Sequence, residues 1–326
     1  MIDEIPSKSE QRLSWRRLSP WLKTILAVGV ICALFFFNRI ELQIFTPLSE
    51  TWWWLVFAFV FMLPPYLIVS YRFWLVLRNQ GIDADFGLAI KWTMIGSFFD
   101  VMMPSNSGGD VVKAGYIANH VGAGKRTVAV ISVVFDRVLG LLGLFLLAGI
   151  ASVVGWGVIK SIPGIYGLLT FLVLFCFGTL LLFRILGSRR FYGNKRLQSI
   201  LEKYPLGSRL YGIISCFNSL REKPKELISV LGLSILNHCF WCAALFCITV
   251  AFNQSVTLIQ GFAVFPIAIF SNTFGFAGGF GVGTAGFDLI FSKLLNVHVG
   301  AAIGLTFQTL SVISRLLGLP FYLRNH

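Results

Sequence analysis

Long hydrophobic blocks separated by short polar connections run through almost the whole chain. A helix that crosses a membrane needs about 20 mainly apolar residues. Six blocks meet or approach this length, and we predict a membrane-spanning helix in each: 21–38, 52–77, 128–155, 162–186, 227–251 and 298–323. The pattern therefore predicts an all-α polytopic membrane protein with a single integral membrane domain over residues 1–326.

Two further apolar regions, 86–119 and 257–292, are interrupted by glycine and polar residues. The first contains Pro104-Ser-Asn-Ser-Gly-Gly-Asp-Val-Val-Lys113, which offers backbone polar groups and charge beside hydrocarbon. Such a segment is tolerated at membrane depth only where it is buried in protein or lines a water-filled cavity. We predict that each region enters and leaves the bilayer on one side, as a re-entrant helical hairpin.

The two interrupted regions resemble each other. In each, a polar turn of helix precedes a glycine pair, and an Arg-x-Leu-Gly-Leu stretch follows in a later helix, which makes Arg315 the counterpart of Arg137. Three crossings separate the regions, so we expect them to enter from opposite faces as an inverted repeat with a binding site at the midplane. Chance similarity in a chain rich in glycine and leucine is the alternative.

Composition supports the membrane class and gives an orientation. Hydrophobic residues make up 56% of the chain and charged residues 13%, and the formal net charge is +13, whereas soluble domains carry about 25% charged residues. The basic residues crowd into 1–20 and the connection 187–226, and others, including Arg72, fall at predicted span ends. The positive-inside rule assigns these segments and both termini to the cytoplasm. The charge therefore indicates membrane lipid as the partner, with no nucleic acid.

Ionisable residues inside the predicted spans are the candidate site, because such residues are costly in lipid. The planar guanidinium of Arg137 can bind two phosphate oxygens. Asp110 and Lys113 lie at the predicted start of a helix, a position where anions bind. We expect Asp100 and Lys91 to pair with Arg137 and Asp136. The alternatives are a helix cap at Asp110, a structural ion pair at Asp136 and Arg137, and an interfacial Arg315. The predicted substrate-binding residues are Asn106, Gly108, Gly109, Asp110, Lys113, Asp136, Arg137, Gly279, Gly281 and Arg315.

Catalytic and metal-binding patterns are weak. His238-Cys239-x-x-Cys242 stands alone in an apolar helix without a second ligand pair, so packing is favoured over metal binding there. We expect Asn237 and His238 to hydrogen-bond between helices instead. No nucleophile–base set or phosphate-loop lysine motif occurs at a recognisable spacing. The sequence predicts a protein that is not an enzyme and that uses no cofactor and no metal.

The stretch 104–113, together with Ala129-x-x-Ser132-x-x-x-Asp136-Arg137, the glycines at 278–283 and Arg315, resembles the lysylphosphatidylglycerol synthase transmembrane (flippase-like) family. The resemblance implies a membrane protein that moves the headgroup of an amphiphile between leaflets. One departure concerns the second glycine stretch, which in the family continues as Gly-x-x-Glu-Ala. Here Thr284 replaces the glutamate, and Asp288 is the nearest acid.

We therefore expect translocation of an anionic lipid or polyprenyl-phosphate-type amphiphile in the cell inner (plasma) membrane. No nucleotide-binding motif is present, so movement would be passive or ion-coupled. Enzymes of lipid or glycan synthesis are the possible protein partners. The alternative functions are an intramembrane lipid-modifying enzyme or subunit, and a scaffold for lipid or glycan synthesis.

Overall fold

The computed structural model describes residues 42–102, 108–122, 125–162, 164–186, 223–275 and 279–324. The helices are α1 (Leu48–Phe61), α2 (Pro64–Asn79), α3 (Phe86–Met102), α4 (Gly108–Val121), α5 (Arg126–Val154), α6 (Trp156–Ile159), α7 (Ile165–Leu186), α8 (Pro224–Ala251), α9 (Leu258–Ser271), α10 (Val282–Leu294), α11 (Gly300–Arg315) and α12 (Leu319–Leu323), with 3₁₀ turns at Leu42–Phe45, Asn272–Phe274 and Leu316–Gly318. These ranges contain no β-strand, and the prediction of an all-α polytopic membrane protein is confirmed.

Four helical stretches in the described ranges are long and apolar enough to cross a membrane: Leu48–Asn79, Arg126–Val154, Pro224–Ala251 and Gly300–Leu323. The first of them is bent, because α1 ends at Phe61 and α2 restarts at Pro64, where proline fits the first turn of a helix. The predicted span 162–186 is the helix α7. The predicted span 21–38 lies outside the described residues, as do 1–20 and most of 187–226.

Each interrupted region forms a pair of helices packed side by side: α3 with α4, the first hairpin, and α9 with α10, the second hairpin. The open end of the first hairpin is held together by two hydrogen bonds. Lys125 Nζ donates to the Gly81 carbonyl at 2.7 Å, and His120 Nε2 lies 3.0 Å from the Asp83 carbonyl oxygen. The first hairpin therefore enters and leaves the bundle at one end, as predicted.

The second hairpin enters from the opposite end. Helix α8 starts beside the first end, where Lys223 Nζ donates to Asn79 Oδ1 at 3.0 Å. It finishes at the other end, where the Ala251 carbonyl accepts from Thr51 Oγ1 at 2.8 Å. Because α9 begins at Leu258, just beyond Ala251, the second hairpin starts at this far end.

Equivalent positions in the two halves of the chain are separated by a constant number of residues, which we call the offset. The separation between Asn79 and Ala251, the last residues of α2 and α8, equals that between Phe86 and Leu258, the first residues of the two hairpins. Packing is reciprocal as well: the second hairpin packs on α5, which follows the first hairpin, and α3 packs on α11 and α12, which follow the second. This agreement supports the inverted repeat over chance similarity.

The same offset corrects the predicted alignment of the repeats. It carries Asp100 to Asn272 and Asp136 to Gln308, so the residue equivalent to Arg137 is Thr309 and not Arg315. The glycine pairs used for the sequence comparison do not occupy equivalent positions in the two halves. Arg315 is therefore not the symmetry mate of Arg137.

Candidate functional site

A polar cavity of about 280 Å³ lies between the first hairpin, α2, α5, α8 and the end of α11. Six of the predicted binding residues line it: Gly109, Asp110, Lys113, Asp136, Arg137 and Arg315. Asp136 lies about 15 Å along α5 from its first residue, at ~1.5 Å per residue, which is about half of the ~30 Å hydrocarbon thickness. The cavity therefore lies well inside the bundle, away from the end where α5 begins.

An ion pair between α2 and α5 forms the deepest part of the cavity. Arg72 Nε and Nη2 donate to the two carboxylate oxygens of Asp136 at 2.8 and 3.0 Å, and Nη1 donates to Ser234 Oγ of α8 at 3.0 Å. Paired fork-to-carboxylate bonds are among the strong hydrogen bonds of proteins. This arrangement ties three helices together and fixes Asp136 in place.

Lys113 extends the charged cluster from α4. Its Nζ lies 3.9 Å from Asp136 Oδ2 and 3.3 Å from the centroid of the Phe73 ring, and the residue is buried. A cation over an aromatic face is stabilised by the ring quadrupole. Lys113 is thus held at the wall of the cavity by a carboxylate and an aromatic ring.

Arg137 and Asp110 form the most exposed of the ion pairs that line the cavity, and we call this part of the cavity its mouth. Both side chains are about one-third exposed, at 33% and 35%. Exposed apolar side chains, Val111 on α4 and Val130 and Val134 on α5, flank the pair. The mouth therefore lies beside an apolar surface of the kind that contacts lipid.

Asp100 joins the end of α3 to the start of α4. Its Oδ1 accepts from the Gly109 backbone N–H at 2.9 Å, and Arg315 Nη1 lies 3.8 Å from Oδ2. A Cβ atom at Gly109 would collide with the Gly96 carbonyl and would lie 2.8 Å from Asp100 Oδ1. Glycine at 109 is therefore required by the close approach of the two helices.

The cavity carries a positive excess. The described residues that line it include four side-chain cations, Arg72, Lys113, Arg137 and Arg315, and three carboxylates, Asp100, Asp110 and Asp136. The formal sum is one positive charge, so a monoanion would neutralise the site.

The family model of the lysylphosphatidylglycerol synthase transmembrane region matches residues 21–318. The chain belongs to this family. It is a multi-pass membrane protein linked by its family to lipid handling. Comparison with curated proteins and with solved structures gave no match. The resemblance inferred from the motifs is confirmed.

The family's glutamate position in the second hairpin has a defined structural role in this family member. Thr284 Oγ1 donates to Gln308 Oε1 at 2.8 Å, and Gln308 Nε2 donates to Asn272 Oδ1 at 2.9 Å and to the Gly279 carbonyl at 3.0 Å. The break of the second hairpin is thus closed by a buried amide network. Gly281, with φ 78°, caps the start of α10.

Several predicted contacts differ from those observed. Asp136 pairs with Arg72 and Lys113, and the expected pairing of Asp136 with Lys91 is wrong. Arg137 forms an ion pair with Asp110, and Asp100 lies near Arg315. Asp136 meets Arg72 because α2 packs against α5, two helices that the first hairpin separates in sequence.

The remaining predicted residues lie apart from the cavity lining. Gly108 is buried at the start of α4 but does not line the cavity. Gly279 takes part in the amide network of the second hairpin, and Gly281 caps α10. Both are also absent from the lining. Asn106 lies outside the described residues.

Sequence reasoning missed Arg72, Thr93 and Asn237 as cavity residues. Arg72 was assigned to a cytoplasmic span end, yet its side chain is 5% exposed in the bundle interior. Its position inside the apolar block 52–77 was a usable signal, because ionisable residues within spans mark functional sites.

His238 contacts another helix as predicted, with Nε2 3.1 Å from the Gly140 carbonyl oxygen of α5. Across the ranges that the structure describes, no group of three or more His, Cys, Asp or Glu side chains could hold a metal ion.

Proposed function

We propose that this protein carries the headgroup of an anionic lipid or polyprenyl-phosphate-type amphiphile between the leaflets of the plasma membrane, without hydrolysing ATP and without altering the amphiphile chemically. The proposal rests on the cavity inside the bundle, whose lining has a formal sum of one positive charge and whose mouth is flanked by apolar side chains. An anionic headgroup in hydrocarbon is strongly disfavoured, and a polar, cationic cavity lowers that barrier.

The mechanism begins with an exchange of partners at the mouth. The phosphate replaces Asp110 on the Arg137 guanidinium, whose planar fork binds two phosphate oxygens. Partial exposure of the Arg137–Asp110 pair makes this exchange inexpensive, because water screens both charges before the ligand arrives. The acyl or prenyl chains stay outside, against Val111, Val130 and Val134.

Arg72, Lys113 and Asp136 have a different part in the mechanism. They are buried and held by several partners, so they remain in place while the headgroup passes. Lys113 and Arg72 attract the phosphate inward, and Asp136 limits the strength of that attraction. A site that binds too tightly would trap the headgroup, so the mixed charges favour both entry and release.

We also propose that the open end of the first hairpin faces the cytoplasm. Arg78, Lys125, Arg126 and Lys223 are exposed at this end of the bundle. Excess Lys and Arg near the ends of spans is characteristic of cytoplasmic loops.

The test of the proposed function is a headgroup-translocation assay on the full chain in vesicles, with acyl-labelled anionic lipid and a membrane-impermeant quencher. We expect Arg137→Ala to lower the translocation rate at least about tenfold, because one charge-assisted hydrogen bond is worth ~1.5–3 kcal/mol. Arg126→Ala, an exposed position at the start of the same helix, is the matched control and should keep the normal rate.

Arg137→Ala should still fold, since the side chain is one-third exposed, and circular dichroism with size-exclusion chromatography checks this. Normal translocation by folded Arg137→Ala would contradict the proposal. Mass spectrometry of the vesicle lipids adds a second readout, because the appearance of a modified lipid would favour the enzymatic alternative.

A further inference from the structure

One side of the cavity is neutral and presents polar atoms that the protein leaves without partners. Thr93 Oγ1, Asn237 Oδ1 and His238 Nδ1 are buried and make no hydrogen bond, and all three residues line the cavity. Thr93 and Asn237 are 5% and 4% exposed. A buried polar atom without a partner is strongly disfavoured. Three such atoms on residues that line one cavity indicate that a ligand supplies the missing bonds.

The chemistry of these atoms restricts that ligand. Asn237 Oδ1 can only accept a hydrogen bond. His238 Nε2 faces the Gly140 carbonyl and must be its donor, which leaves Nδ1 of the neutral ring as an acceptor. Ionised phosphate oxygens also only accept, so phosphate cannot satisfy these atoms. The ligand must bring O–H or N–H donors.

The surrounding charge selects between those two donors. The cavity is lined by four side-chain cations against three carboxylates, so an added ammonium group would meet a net positive charge. A hydroxyl group donates without carrying charge. The neutral side of the cavity therefore fits hydroxyl groups better than an amine.

Adjoining space accommodates such a group. A smaller cavity of about 120 Å³ shares Thr93, Ser97 and Asn237 with the main one and is also lined by Tyr66 and Trp241. The Tyr66 hydroxyl is already bonded to Ser314 Oγ at 2.7 Å, so Tyr66 offers mainly its ring. Aromatic rings pack against the C–H faces of polyols, while polar groups beside them bind the hydroxyls.

We propose that Thr93, Asn237 and His238 form a subsite for an uncharged, polyhydroxylated group attached to the phosphate, of glycerol or sugar type, and that this subsite discriminates against headgroups that end in ammonium. The proposal rests on the proposed function, which places the phosphate at the cationic side of the same cavity. It adds a second recognition element and names the class of headgroup.

The test compares three lipids with identical acyl chains: phosphatidylglycerol, phosphatidylpropanol and phosphatidylethanolamine. The first two carry the same charge and differ only in hydroxyl groups. The full chain is equilibrated with equal amounts of each in bilayer discs, and retained lipid is measured by native mass spectrometry. We expect the protein to retain about tenfold more phosphatidylglycerol than phosphatidylpropanol, because two additional neutral hydrogen bonds provide a free-energy difference of that size. Phosphatidylethanolamine should be retained least.

Two near-isosteric variants, Thr93→Val and Asn237→Leu, should each lower the preference for phosphatidylglycerol about threefold or more, as expected for the loss of one neutral hydrogen bond. Thr170→Val is the matched control, since that exposed hydroxyl of α7 bonds only to its own helix, and it should keep the full preference. Equal retention of phosphatidylglycerol and phosphatidylpropanol by the unmodified protein would overturn the subsite.

The outcomes separate this inference from the proposed function. Translocation of both lipids without preference would sustain transport and overturn the subsite. Preferential retention of phosphatidylglycerol without translocation of any lipid would sustain the subsite and overturn transport. Displacement of retained phosphatidylglycerol by millimolar soluble glycerol phosphate would assign the subsite to a soluble ester and overturn its lipid source.

Discussion

Substitution of Arg72 in the Arg72–Asp136 pair is the most stringent test of the contacts that hold the cavity together. Replacing Arg72 with methionine keeps an unbranched side chain and removes the charge. The substitution breaks the 2.8 and 3.0 Å bonds to Asp136 and the 3.0 Å bond to Ser234. Asp136, with a side chain 7% exposed, keeps Lys113 at 3.9 Å as its ion-pair partner.

The magnitude follows from burial and from the remaining cation. Removing one partner of a buried ion pair costs about 3–5 kcal/mol, because the other charge is left uncompensated. Lys113 offsets part of that cost, so we expect Arg72→Met to destabilise the protein by about 3 kcal/mol. The double variant Arg72→Met/Asp136→Leu removes both charges. Because neighbouring residues are coupled, its loss of stability should be smaller by about 1 kcal/mol or more than the sum of the losses of the two single variants.

The assay is reversible unfolding in mixed micelles, followed by circular dichroism as the fraction of denaturing detergent rises. Arg78→Met is the matched control on the same helix. Arg78 is exposed, and its guanidinium lies 4.8 Å from the centroid of the Trp74 ring, so its loss should cost only about 0.5–1 kcal/mol. A cost for Arg72→Met no larger than for Arg78→Met, or strict additivity in the double variant, would refute the reasoning.

Two further predictions concern the hairpin breaks. Gly109→Ala should separate α3 from α4 at Gly96 and destabilise the protein by about 1–3 kcal/mol through overpacking. Gly115 has open space around it, so Gly115→Ala should not destabilise the protein. Unfolding of both variants in detergent tests this. Gln308→Leu removes three hydrogen bonds of a fully buried side chain and should cost about 3 kcal/mol. The exposed neighbour Thr309→Val should stay within about 0.5 kcal/mol, and similar unfolding of these last two variants would show that the amide network contributes little.

The architecture could be predicted because it follows from local features of the sequence. Apolar length sets which segments cross the membrane, and glycine breaks such as 104–109 set where helices turn back. The pair Asp136-Arg137 could also be placed at the site, since charge inside a span is rarely tolerated without a role. These signals are properties of short segments, and they need no knowledge of packing.

The partners of those charges could not be predicted. Arg72 and Asp136 meet through the packing of α2, α5 and α8, and nothing local to either residue indicates the other. The repeat itself was recognised, but its alignment was taken from glycine pairs, which do not occupy equivalent positions in the two halves. The element boundaries show that the true counterparts are Asp100 with Asn272 and Asp136 with Gln308.

This pairing makes the two halves electrically unequal. The first half contributes six of the seven charged side chains that line the cavity, and the second half contributes Arg315 alone to that lining. The described residues at the break of the second half are joined by amide and hydroxyl groups. An elementary charge moved across a membrane potential changes energy by about 2.3 kcal/mol per 100 mV. In the mechanism proposed above, Arg72, Lys113 and Asp136 stay in place while the headgroup passes, so the membrane potential acts on the charge of the headgroup itself.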